Sequence, residues 1–269
     1  RYRSLLTTAT TFFTGWGGLE GEVGWQRLVN HFDFIIEEGV KMGGFNQEEF
    51  NKFIEENNVY GFFEEAITLK SGRKSHFYAN WRNVVEDVWL TNRLSEFVIS
   101  YVESIGFAVD TFYGVPEGAT KLGVVTQFKW AKRFASYSKG SHALAMGRAK
   151  PKDHGAPKDR YFVGMPRGNV VVLEDVTTTG GSLLRTLEGL IEAGVHVVGV
   201  ISLTNRMEKR DDGLSVEEAV RKKGFPFYSM SSSLDLLPVM YKILGPGESI
   251  VNAIEQEFKE YGVRELKLR

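Results

Sequence analysis

The chain of 269 residues contains no cysteine, so disulfides, thiolate-ligated metals and cysteine nucleophiles are excluded, and the composition fits a reducing compartment. No apolar run approaches the ~20 residues that a membrane-spanning helix needs. Neither sign of charge is in excess. With 33 basic and 34 acidic side chains the formal net charge is −1, far from the basic surplus of a general nucleic-acid binder. No Walker A pattern occurs, and GWGGLEG at 15–21 has the wrong spacing for a dinucleotide fingerprint and no buried strand before it, so it reads as a loop. His31, His142 and His196 lack metal-ligand spacing and read as structural or surface residues. Internal repeats are also missing. What remains is a globular chain, 42% hydrophobic, with ample material for a core.

The most informative stretch is VVVLEDVTTTGGS, Val170 to Ser182. Its apolar start reads as a buried parallel strand. Leu183, Leu184, Leu187, Leu190 and Ile191 then follow at helical spacing until Gly194 stops the helix. Glu174 and Asp175 therefore sit at a strand's C-terminal edge, where ligands bind in open α/β sheets. The turn after them offers backbone N–H groups at a helix N-terminus, where the dipole favours an anion. Thr177, Thr178, Thr179 and Ser182 add hydroxyl donors, and Gly180 and Gly181 let the backbone approach a ligand closely. Carboxylates accept hydrogen bonds only, so Glu174 and Asp175 repel a phosphate and suit vicinal hydroxyls. A ribose beside a seat for its phosphate is the ligand this arrangement fits, and LEDVTTTGGS closely resembles the phosphoribosyl diphosphate motif of type I phosphoribosyltransferases.

Elsewhere the pattern alternates. A helix is expected from Asn46, then strand, basic turn and strand across FFEEAITLKSGRKSHFYANW, and a helix over 90–105. A strand at AVDTFYGV, a helix from Ala119 to about Arg133, a strand at His142 to Gly147, the motif strand and helix, and the strand HVVGVISL come next. The last third predicts a helix at Val216 to Lys223, a short strand at PFYSM, and helices near 233–244 and 248–261. Strands alternating with helices imply an α/β fold: a parallel sheet flanked by helices. Residues 148–168 carry six cations against two acids, contain glycine, and stand directly before the motif strand, as an active-site lid would.

Four segments carry a closer resemblance, to orotate phosphoribosyltransferases. R-x-x-x-K-D-H-G at Arg148 to Gly155 resembles their mobile catalytic loop, and TLKSGRKSHFYAN at 68–80 their amino-terminal signature. YGVPEGATKLG, from Tyr113, is similar to their pyrophosphate loop, and ISLTNRMEKR at 201–210 to their base-reading segment. The similarity runs over about residues 46–263. It implies that Lys152 and His154 act on the pyrophosphate leaving group with Arg148 and Lys150, and that Glu174 and Asp175 hold the ribose. Thr177, Thr178, Thr179, Gly180, Gly181 and Ser182 would take the 5-phosphate, and Lys70, Phe77, Tyr78 and Arg206 would surround orotate.

Further implications are Mg²⁺ bound through the substrate, a cytoplasmic location, no membrane or nucleic-acid partner, and a homodimer in which loop 148–168 completes the neighbour's site. The implied architecture is a domain over 46–269 whose small hood comes from its amino-terminal segment and the strand near Phe227 to Met230. Residues 1–45 form an extension of unknown role. Its first 14 residues lack acids and read either as a remnant of a transit peptide or as sequence ahead of an alternative start at Met42. The chain departs from the family pattern at Ala149, where a second loop cation is usual, and at Glu117 and Lys121 in the pyrophosphate loop. His76 and Ala79 depart beside the base pocket.

Overall fold

A computed structural model describes residues 44–269. The expectations placed on 1–43, the loop at 15–21 and the alternative start among them, lie outside the described residues. Helix α1 (Gln47–Glu56) is started by the Asn46 side chain, which accepts from the backbone N–H of Glu48 and Glu49, and it buries Phe50, Phe53 and Ile54 at helical spacing. An antiparallel hairpin follows, β1 (Tyr60–Thr68) and β2 (Lys74–Ala79), then the short α2 (Arg82–Val85). Helix α3 (Val88–Ile105) is capped by Asp87 and ended by Gly106 in the left-handed region.

From there strands and helices alternate: β3 (Thr111–Gly114), α4 (Thr120–Lys132), β4 (Met146–Gly147), α5 (Pro157–Tyr161), β5 (Phe162–Val163), β6 (Val170–Thr177), α6 (Gly181–Glu192) and β7 (Val197–Asn205). After them come α7 (Val216–Lys222), β8 (Phe227–Ser229), α8 (Ser233–Leu244) and α9 (Glu248–Tyr261).

The main sheet has the order β3-β6-β7-β8 and is parallel throughout. Successive side chains point to opposite faces, so β6 feeds two cores at once. Val171 and Leu173 join Phe112, Ile201 and Leu203 on the face packed by residues of α1, α3, α8 and α9. Val170 and Val172 join Tyr113 and Val200 against Leu183, Leu187 and Leu190 of α6 and Val216 and Val220 of α7. Each fully buried leucine of α6 stabilises the layer by about 1.5–3 kcal/mol. An apolar run with no polar face is what a strand covered on both sides requires, and this is why β6 was legible in the sequence.

Three expectations change. The strand near Phe227 to Met230 is not part of the hood: β8 pairs in parallel with β7 at the edge of the main sheet, Val200 opposite Phe227. The hood is instead the β1–β2 hairpin with α9 laid against it, joined by the stacked rings of Phe77 and Phe258, 6.0 Å apart. The strand expected over 142–147 is only Met146–Gly147, and it pairs with β5 outside the main sheet, Gly147 opposite Phe162. Residues 148–168 are correspondingly not one long loop, because α5 and β5 lie within them and close a hairpin whose free tip is 148–156.

Candidate active site

The site grows from the C-terminal edge of the main sheet. Val115 N–H donates to the Leu173 carbonyl just beyond β3, which sets the pyrophosphate-loop segment beside the end of β6. Gly118 in that segment lies so close to Asp175 that a Cβ there would overlap its carboxylate. Any larger residue would displace either the loop or the acid. Glu174 is buried and its carboxyl is pushed well above the usual range, first by burial and then by the adjacent Asp175 charge, against a smaller opposing pull from Lys70. Asp175 beside it is half-buried. The pair thus combines one acid shielded from water with one open to a ligand.

After β6 the chain turns through Thr178 and Thr179 into Gly180, whose φ of +68° and contact with Val216 leave no room for a side chain. Helix α6 begins there with no side-chain cap, as α2, α4, α5 and α9 also do, while Asn46, Asp87, Ser215 and Ser232 cap α1, α3, α7 and α8. Its first N–H groups remain available to an anion at the positive end of the dipole. Thr178, Thr179, Gly181 and Ser182 are half-buried around this opening. Thr177 is not among them: it is fully buried at the end of β6, its hydroxyl 3.4 Å from Ser202 Oγ. The turn is also braced by a residue the sequence reading missed. Arg210 donates to the Thr179 carbonyl while pairing with Asp212. A second arginine four positions after Arg206 was the available signal.

The hood reaches this turn through Lys70, whose Nζ donates to Ser182 Oγ at 3.0 Å. Its basic turn therefore lies over the start of α6, and its charge also acts on Glu174. Phe77 and Tyr78, expected together at the base, point to opposite faces of β2, because neighbours on a strand alternate. Ser75, Phe77 and Ala79 are buried, while His76 and Tyr78 are half-exposed. Arg206 lies in the interior at 1% exposure, with Glu208 and Glu257 as ion-pair partners. The structure thus brings Lys70, Glu174, Asp175, Gly118 and Ser182 to one edge, and packs Phe77 and Arg206 against each other in the interior.

The cationic segment leaves the body at Gly147, which packs on Tyr113 and on Pro116 of the pyrophosphate-loop segment. Arg148 N–H donates to the Tyr161 carbonyl, and Lys152 N–H to the Arg160 carbonyl, closing the neck of the hairpin. Arg160 and Tyr161 both bond Glu192 at the end of α6, tying that neck to the motif helix. Lys150, Lys152 and His154 project from the tip, exposed, with no ion pair among the described residues. Glu117 and Lys121 are also exposed. No group of three or more His, Asp or Glu side chains among the described residues is arranged to hold a metal by itself. No described helix is long and apolar enough to cross a membrane.

Comparison with known proteins agrees with this layout. No protein-family model matches the chain. It is 34% identical over 185 residues to an orotate phosphoribosyltransferase of Bradyrhizobium diazoefficiens, an alignment covering 65% of this chain and 89% of the relative. It is 28% identical over 229 residues to that of Agathobacter rectalis, covering 81% and 98%. Among solved structures, orotate phosphoribosyltransferase of Francisella tularensis superposes with a TM-score of 0.57 at 20% identity, over 80% of this chain and 99% of that one. UMP synthase of Leishmania donovani does so with 0.59 at 17% identity, over 91% of this chain and 48% of that one. At those identities the structures speak to the fold, a parallel sheet flanked by helices as found here. The sequence relationship, spanning nearly the whole of its relatives, carries the further conclusion: this chain belongs to the orotate phosphoribosyltransferase family.

Proposed function

We propose that the chain is an orotate phosphoribosyltransferase, moving the phosphoribosyl group of phosphoribosyl diphosphate onto orotate to give orotidine 5-monophosphate and pyrophosphate in pyrimidine nucleotide synthesis. The observation that carries this reading is the meeting, at one sheet edge, of the Glu174–Asp175 pair, the uncapped start of α6 and the hood lysine Lys70 on Ser182. The 5-phosphate takes the N–H groups of α6 and the hydroxyls of Thr178, Thr179 and Ser182; Asp175 and Glu174 accept from the ribose hydroxyls. Lys70 and the exposed face of Tyr78 border the base.

As the bond from ribose C1 to pyrophosphate breaks and the bond from C1 to a ring nitrogen of orotate forms, that nitrogen giving up its proton, positive charge gathers on the sugar and negative charge on the leaving group. Arg148, Lys150, Lys152 and His154 are the cationic and proton-bearing groups for that leaving charge, and the lid that carries them excludes water from the activated sugar. Adjacent carboxylates and phosphate oxygens are the hard donors Mg²⁺ prefers, and fewer than three protein ligands suit an ion carried mainly by its substrate. When bound it adds positive charge at the pyrophosphate.

The protein works as a cytoplasmic homodimer in which the lid tip serves the neighbouring site. Mixing Lys152→Ala with Asp175→Asn subunits, each inactive alone, tests that arrangement. About a quarter of the unmodified activity returns if lids cross over, and none returns if each lid serves its own subunit. The reaction itself is tested by pyrophosphate release from phosphoribosyl diphosphate with each base in turn. Release with orotate alone is expected. Equal turnover of uracil or a purine overturns the base assignment, and phosphoribosyl diphosphate binding without release for any base makes the chain a sensor.

A further inference from the structure

The segment between β7 and α7 holds the motif turn at two points. Val216, the first residue of α7, packs on Gly180, and the Arg210 guanidinium donates through Nη1 to the Thr179 carbonyl. Arg210 is itself fixed by a tight turn. Its N–H donates to the Leu214 carbonyl at 2.7 Å, and its carbonyl accepts from Gly213 N–H at 2.9 Å, with Gly213 at a φ of +82°. Asp212 accepts from Leu214 N–H through Oδ1 at 3.1 Å and from Arg210 Nε through Oδ2 at 3.2 Å. One carboxylate thus shapes the turn and sets the direction of the guanidinium. The segment is anchored in the body of the fold by Lys209 N–H, which donates to the Tyr261 carbonyl at the end of α9 at 2.6 Å.

The Thr179–Gly180 peptide is trans, and in a planar trans unit the C=O and N–H point in opposite directions. A guanidinium that takes the Thr179 carbonyl therefore turns the Gly180 N–H the other way, where no protein group among the described residues accepts from it. With glycine on the far side of the bond, this plane is otherwise free to turn over and present its carbonyl, which repels an anion. We infer that Arg210, aimed by Asp212, is a positioning residue that holds this peptide with its N–H toward the anion seat at the start of α6 and so sets the affinity of that seat for a phosphate monoester. The inference rests on the transferase reading above, since the 5-phosphate is the group assigned to the turn. None of the contacts it uses involves the base or the lid.

Full-length Arg210→Ala protein tests this, with ribose 5-phosphate as the probe in calorimetric titrations without orotate. Its dissociation constant, and that of phosphoribosyl diphosphate, should rise about tenfold, the worth of one well-placed hydrogen bond to the anion. At saturating substrates kcat, and the KM for orotate, should move by about twofold or less. Arg210→Lys, which keeps a donor for the Thr179 carbonyl, should recover most of the lost affinity. Asp212→Asn separates positioning from simple attraction, because its Oδ1 still serves Leu214 while the acid that aims Nε is gone. Were Arg210 only a source of positive charge, removing the neighbouring negative charge would tighten ribose 5-phosphate; a positioning role weakens it, by about threefold. Affinity within about twofold of the unmodified protein in Arg210→Ala, unchanged or tighter binding in Asp212→Asn, or a kcat that falls in step with affinity overturns the inference. Should the unmodified protein bind ribose 5-phosphate yet fail to turn over orotate, the transferase reading falls and the same titrations still decide the role of Arg210. An unmodified protein that binds no ribose 5-phosphate overturns both.

Discussion

Two groups of ionisable side chains, the hairpin tip at 148–156 and the junction of Arg206, Arg73, Glu208 and Glu257, stand in opposite surroundings. At the tip Lys150, Lys152 and His154 stand in water and form no ion pairs among the described residues. At the junction Arg206 and Glu208 are each 1% exposed and every charge is matched at 2.6–3.0 Å. Water screens the first set and holds it cheaply, so it remains ready for a ligand. The second set has lost its hydration and depends on its partners. Position relative to solvent therefore separates charges left free of protein partners from charges that hold elements of the fold together.

The sharpest way to break this contrast is Arg206→Ala. Leaving Glu257 buried without its cation, and Glu208 with Arg73 alone, should destabilise the protein by about 3–5 kcal/mol in urea unfolding. A loss under 1 kcal/mol would show that the junction is no more demanding than the tip. Lys152→Ala is the converse case: kcat for orotate turnover should fall about 10²–10³-fold, with the unfolding midpoint unmoved. A near-normal kcat would place the leaving-group chemistry elsewhere.

A weaker effect comes with pH. Burial, helped by the nearby Glu208 charge, pushes Glu257 up from 4.5 to about 7 despite the pull of Arg206. The folded protein then holds a proton that the unfolded chain releases, so between about pH 4.5 and 7 this group's contribution to stability declines as pH rises. Thermal melts over that range should show the decline in the unmodified protein and a flatter profile in Glu257→Gln; parallel profiles would assign the titration to another group, Glu174 being the other buried acid shifted upward. Smallest of all, Lys158→Ala in the exposed part of α5 should change stability by less than about 0.5 kcal/mol.

The elements that the sequence disclosed were those whose information is local. The run VVVL fixed β6, and helical spacing of apolar residues fixed α8 and α9 at 233–244 and 248–261. The motif turn was readable for the same reason, since its acids, hydroxyls and glycines are contiguous. Pairing across distance was not. Nothing within PFYSM says that β8 joins β7, and nothing within TNRMEKR says that Glu257, 51 residues on, will claim Arg206. The resemblance implies Arg206 and Phe77 at the base, and their burial together under the hood emerged only from the fold. Lys70 was read as a cation beside the base; its partner Ser182 lies 112 residues away and emerged only from the fold.

The hood has a consequence for the order in which the molecule can assemble. Its hairpin is finished by β2, yet Ser75 bonds Glu257, 182 residues later, and Phe77 stacks on Phe258. Contacts of such long range close slowly, since the entropy of the intervening chain is lost before they repay it. On a ribosome the hairpin therefore emerges early and waits, its apolar face of Tyr60 and Phe77 uncovered, until α9 has been synthesised. Translation places the sheet and the motif turn first and completes the cover over the site last.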